Sequence, residues 1–220
     1  MYTAFQQELE QLKHTSITMM AAVETAVADS IKAVFHRDWM AAESVMDNDE
    51  AINALQYDID ASCLKLLALE QPYARDLRFI LGTKNAASQL ERIGDEAVNI
   101  AERAILLSQH GELPLSPEVW ELADNATAMF RKAIKAMNAG DADLAREVCA
   151  MNARGHVLYL KVFSHYINYM IEESRAVQRA VHLMFLSRSL ERVGDRATNL
   201  AEITVFIATG EDIRQECGRY

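Results

Sequence analysis

The stretch Leu90-Glu91-Arg92-Ile93-Gly94-Asp95-Glu96-Ala97-Val98-Asn99-Ile100-Ala101-Glu102 returns 100 residues later as Leu190-Glu191-Arg192-Val193-Gly194-Asp195-Arg196-Ala197-Thr198-Asn199-Leu200-Ala201-Glu202, with nine of thirteen positions identical. In both copies the apolar residues step by three and four. Leu90, Ile93, Ala97, Ile100, Ala104 and Leu107 are matched by Leu190, Val193, Ala197, Leu200, Thr204 and Ile207. That spacing is the seam of a helix in a bundle. Ile31-Lys32-Ala33 answers Ile134-Lys135-Ala136 and Asp38 answers Asp141, so the repeat extends upstream and reads as an internal duplication.

The rest of the chain fits long helices. Its 220 residues contain only 8 Gly and 3 Pro, where average usage gives roughly 26 of the two together, and few β-branched runs. Breakers fall at His36-Arg37-Asp38, Gln71-Pro72-Tyr73, Gly140-Asp141 and Glu173-Ser174. The densest cluster, Ser108 to Pro117, reads as a stop at Gly111 and a restart with Ser116 as N-cap and Pro117 at the first helical position. Two further seams, Val45 to Leu69 and Leu144 to Tyr169, supply the middle helices. The expected fold is all-α, two tandem three-helix bundles over 1–110 and 116–220 joined by a linker at 111–115. Helices of about 33 residues are roughly 50 Å long.

With 32 acidic against 22 basic residues the net charge is −10, which removes the electrostatic footprint of a nucleic-acid or anionic-membrane binder. No signal-like N-terminus or uncharged span occurs, so the chain is expected to be soluble, cytoplasmic and not inserted in a membrane. Cys63, Cys149 and Cys217 form no Cys-x-x-Cys pair and are expected to be buried or idle thiols rather than a disulfide framework. The methionines and Tyr159, Tyr166 and Tyr169 read as core packing.

At about 100° per residue, Glu91, Asp95, Asn99 and Glu102 fall within about 80° of one another, and so do Glu191, Asp195, Asn199 and Glu202. A solvated face is the plain reading. Against it, like charges at i and i+4 and a mid-helix Gly94 both cost stability, and both recur at Gly194. Unpaired carboxylates one turn apart are hard oxygen donors suited to iron, zinc, manganese or magnesium. Arg92 and Arg192 lie off the stripe and are placed to pair across helices. Glu-x-x-His, phosphate-cradling glycine loops and His-Glu-x-x-His are missing, which disfavours the di-iron, nucleotide-binding and zinc-protease classes that use them.

The doubled Leu-Glu-Arg-Ile/Val-Gly-Asp segments, with Leu69-Glu70-Gln71-Pro72-Tyr73-Ala74-Arg75-Asp76-Leu77-Arg78 before the first, closely resemble the PhoU family of bacterial phosphate-transport regulators. The resemblance covers essentially the whole chain. It implies a cytoplasmic, often dimeric negative regulator of phosphate uptake and the phosphate-starvation response. In that role it would link the ATPase subunit of a phosphate ABC transporter to a phosphate-sensing histidine kinase.

The same resemblance implies multinuclear iron or zinc on Glu91, Asp95, Glu191 and Asp195, with Asp49 from the middle helix. Asn53, Asn99, Glu102, Asn199, Glu202 and His156 are further candidates for ligands or for groups that orient them. The middle-helix counterpart in the second half, Asn152-Ala153-Arg154-Gly155-His156, has no carboxylate, so the second cluster is the less complete. Arg75, Asp76, Arg78 and Arg175 are candidate partner contacts, or helix-start pairs within the chain. The competing function is a metal-dependent hydrolase or redox enzyme using the surface carboxylates, which would show turnover.

Overall fold

The computed structural model describes residues 4–109, 115–215 and 217. Among these there are seven α-helices, one 3-10 turn and no strand. The first half holds α1 (Ala4–His36), α2 (Trp39–Asp47), α3 (Asp49–Glu70) and α4 (Ala74–Ser108). The second holds α5 (Pro117–Ala139), α6 (Ala142–Glu172) and α7 (Val177–Thr209), with the 3-10 turn Ser174–Ala176 before α7. The expected linker lies outside the described residues apart from Leu115.

Most breakers act as their chemistry dictates. Asp38 accepts from the Ala41 amide at 3.0 Å, and Asp141 accepts from Asp143 and Leu144 at 3.0 and 2.9 Å, giving α2 and α6 side-chain N-caps. Gly140 (φ 63°) and Gly210 (φ 85°) close α5 and α7 in the left-handed conformation that glycine adopts without a Cβ penalty. Ser116 precedes Pro117 as expected, but its side chain makes no cap bond. Its backbone N–H instead donates to the Tyr166 hydroxyl at 3.2 Å. Arg37 reaches across the bundle and donates to the Leu107 and Ser108 carbonyls at the end of α4, at 3.1 and 3.3 Å.

Two features differ from the sequence-based expectation. The middle rod of the first half breaks at Asn48, whereas α6 runs unbroken. The Asn48 side chain donates to the Ser44 carbonyl at 2.7 Å and its backbone N–H to the same atom at 3.2 Å, local bonds that compete with the helical ladder. The cysteines are not all idle. Beyond α7 the chain folds back on α6, Ile213 is buried, and Cys217 is disulfide-bonded to Cys149 with Cα atoms 4.8 Å apart. Linear spacing carries no information about a tail that an apolar residue docks. Cys63 is free and buried, as expected.

Each half packs its seam residues inward: Met19, Val23, Ile52, Ile59, Leu90, Ile93 and Ile100 in the first, and Met129, Val148, Leu158, Val162, Leu190, Val193 and Leu200 in the second. The halves meet along α4 and α7, which run antiparallel. Gly82 abuts Ile207, Asn199 donates to Gln89 at 3.0 Å, Arg192 to Glu96 at 3.2 Å, and Arg103 lies 3.4 Å from His182. The cross-helix pairing expected of Arg192 is therefore present. Phe35 of α1 also stacks on Trp120 of α5 at 3.5 Å. Among the described residues no helix is long and apolar enough to cross a membrane.

Candidate functional site

The two signature segments lie at the waist of the α4–α7 pair. In the first repeat, the start of α3 brings Asp49 beside α4. Gly94 faces this approach, and a Cβ there would stand 3.6 Å from Asp49 Oδ1, an ordinary contact. Burial first, then the charges of Asp95 and Asp49, raise the Glu91 carboxyl above its ordinary range, against the pull of Arg92 and Arg196. Asp95 is raised likewise, by burial and by Asp49 and Glu96, with Arg92 opposing. Neither Glu91 nor Asp95 has a hydrogen bond or ion pair among the described residues, while Asn53 donates to Asp49 Oδ2 at 3.0 Å. Three carboxylates and one amide from two helices thus lie near one another, their mutual repulsion only partly offset by Arg92 and Arg196.

In the second repeat the same frame is neutralised from within. Glu191 is only 6% exposed, and Arg188, one turn earlier on α7, pairs with it. His156 Nδ1 lies 2.9 Å from its other oxygen. Asn152, where the first repeat has Asp49, donates to Asp195 at 3.4 Å. Asp195 is held above the ordinary range by burial and Glu191, with Asn152, Arg188 and Arg196 opposing. Arg188 also lies over the Tyr159 ring.

The plain reading of the stripe as a solvated face needs correction at Glu191, which is buried in the α6–α7 groove. The wheel places residues on one helix but not the neighbours beside it. Arg188, Asn152 and Glu96 were missed as functional neighbours. A comparison at the repeat offset would have found Arg188, which stands where the first half has Ser88.

The remaining candidates separate. Asn99 turns to Glu96 at 3.2 Å, Glu102 pairs with Arg103 at 3.0 Å, Asn199 bonds Gln89, and Glu202 lines the cavity beside Asp195. Arg75 and Asp76 line a cavity with Lys13 and Phe79 at one end of the spine, and Arg78 lies against Gly210. Arg175, in the 3-10 turn, lies at the opposite end. Among the described residues no group of three or more His, Cys, Asp or Glu stands close enough to enclose a metal ion as placed. By donor chemistry alone, the carboxylates of the first repeat suit a hard divalent cation. Those of the second do not, since its donors are already engaged.

Fold and site together define a duplicated helical-bundle protein built around twin acidic segments. The PhoU domain model matches it twice, at residues 17–104 and 119–204, and the chain belongs to the PhoU family. It is 37% identical over 211 residues to the phosphate-specific transport system accessory protein PhoU homolog of Pseudomonas putida, covering 96% of this chain and 82% of that one. The crystal structure of PhoU from Pseudomonas aeruginosa matches with a TM-score of 0.91 and 36% identity, over 94% of this chain and 100% of that one. The phosphate transport system regulatory protein PhoU from Streptococcus pneumoniae matches with a TM-score of 0.86 and 25% identity, over 94% and 98%.

Proposed function

We propose that this protein is a cytoplasmic, non-catalytic negative regulator of phosphate uptake and of the phosphate-starvation response. It acts as an adaptor between the ATPase subunit of a phosphate ABC transporter and a phosphate-sensing histidine kinase, with 1–110 and 116–220 as its two working units. The observation that carries this reading is the whole-chain match, in both repeats, to proteins named as phosphate-transport accessory and regulatory proteins. The decisive experiment is a deletion strain carrying a phosphate-starvation reporter. Derepression in high phosphate, reversed by the wild-type gene, is expected; continued repression overturns the reading.

Within that role, Asp49, Glu91 and Asp95, with Asn53, would hold one divalent cation, iron or zinc first and manganese or magnesium as alternatives. The cation would supply positive charge where three carboxylates repel. Elemental analysis of chelator-free protein should show metal that Glu91→Gln with Asp95→Asn removes. The partner contacts are assigned to Arg75, Asp76, Arg78 and Arg175. Val157, Leu160, Ile167 and Ile171 on the exposed face of α6 support assembly as a homodimer. Leu160→Glu should then shift the mass measured by light scattering to that of a monomer.

A further inference from the structure

We propose that Cys149 and Cys217 form a reversible thiol–disulfide modification site, reacting with low-molecular-weight disulfides such as oxidised glutathione. Its oxidation state sets whether the C-terminal segment covers the polar pocket of the second repeat.

Placement carries the argument. Cys149, Asn152 and His156 are spaced i, i+3 and i+7 on α6 and so share one face. Cys217 and Arg214 arrive over that face from the tail, and all but Cys149 line one cavity of about 610 Å³ together with Arg188, Glu191 and Asp195. Little else fastens the tail. Among the described residues past Gly210 there is no helix, and the anchors are buried Ile213, the Arg146–Glu211 pair at 2.6 Å, the attraction of Arg214 to Glu202 on α7 and the disulfide. The Arg146–Glu211 pair is largely exposed and holds weakly. Without the covalent bond, the segment has the character of a fraying terminus.

The chemistry is selective for this pair. Cys149 is partly exposed at the edge of α6, whereas burial, then the Asp60 charge, pushes the Cys63 thiol up to about 11, against the pull of Lys84, leaving it inert as a nucleophile. In the forward direction one protein thiolate attacks the small disulfide, forms a mixed disulfide and expels one small thiolate. The second protein thiolate then displaces the other. Two protein thiols lose two protons and two electrons, and one small disulfide becomes two small thiols. Excess dithiol runs the exchange backwards. Release takes Arg214, which pairs with Asp212, away from the pocket and leaves Glu191 and Asp195 open to solutes. The first repeat has no such cover, because Met46 occupies the position of Cys149.

The test uses the full chain treated with oxidised glutathione or with dithiothreitol. Alkylation after denaturation should label one cysteine, Cys63, in the oxidised protein and three in the reduced one. Trypsin cleavage after Arg214, read by mass after quenching and reduction, should be at least tenfold faster in the reduced protein. Cys217→Ser should be cleaved at the reduced rate with or without dithiothreitol, its helicity checked by circular dichroism. If that variant does not fold, the two redox forms of the wild type still decide. Three labelled cysteines after oxidation, or equal cleavage of the two forms, overturns the proposal.

Discussion

The first and second repeats share the Glu-Arg-x-Gly-Asp core yet surround it differently. Asp49, Asn53 and Ser88 in one become Asn152, His156 and Arg188 in the other. In the first, acid faces acid and only the charges of Arg92 and Arg196 pull against it. In the second, Arg188 and His156 take up Glu191, and an amide takes up Asp195. Duplication kept the scaffold, the glycine and the two carboxylates, while three neighbouring positions changed what surrounds those carboxylates.

The contrast is most sharply tested with added cation. At a hundredfold excess over Kd, Mn²⁺ or Zn²⁺ should stabilise the protein by about 2.7 kcal/mol, a rise of roughly 5–10 °C in Tm for a chain of this size. Asp49→Asn should abolish the rise, and the triple change Asn152→Asp, His156→Asn and Arg188→Ser should add a second binding equivalent. A calorimetric scan in which the wild type does not respond defeats the single-site reading.

Next in size is the buried pair. Arg188→Met leaves Glu191 in a site where only His156 remains, and should cost about 1–3 kcal/mol in urea unfolding. Ser88→Ala at the matching position should stay within about 0.5 kcal/mol. Equal effects would mean that the repeats are electrostatically alike after all.

The glycines should split as well. A Cβ at Gly82 would run into the Ile207 side chain, so Gly82→Ala should lose about 1–3 kcal/mol. At Gly94 the nearest side-chain atom would be 3.4 Å away, an ordinary contact, and Gly94→Ala should gain up to about 1 kcal/mol.

The smallest effect is a pH slope in the metal-free protein. Because Glu91 and Asp95 are raised, the folded chain keeps protons that the unfolded chain has released. Stability therefore falls as pH rises from the ordinary carboxylate range through the raised values. Glu91→Gln with Asp95→Asn should flatten that slope in denaturation curves at stepped pH, leaving a remnant from Asp195.

Much of this was legible in the sequence because the signals were local. The three-four seams and the caps at Asp38, Asp141, Gly140 and Pro117 depend on residues a few positions apart, and α4 and α7 formed where they indicated. The break at Asn48 was not, since its side-chain bond to Ser44 competes with a helical pattern that continues on both sides. Glu91, Asp95 and Asp49 could be gathered from i, i+4 spacing and family likeness. Arg188 lies one turn upstream of the motif, and its partnership with Glu191 depends on which groove α7 presents to α6. The return of Cys217 to Cys149 depends on the tail's path, which no periodicity encodes.

The antiparallel α4–α7 spine also fixes distance. Arg75 and the turn holding Arg175 stand at opposite ends of it, about 50 Å apart at 1.5 Å per residue, with both acidic segments midway. Two proteins bound at those ends would be separated by the length of the rods, with the waist, where Arg192 bridges to Glu96, between them.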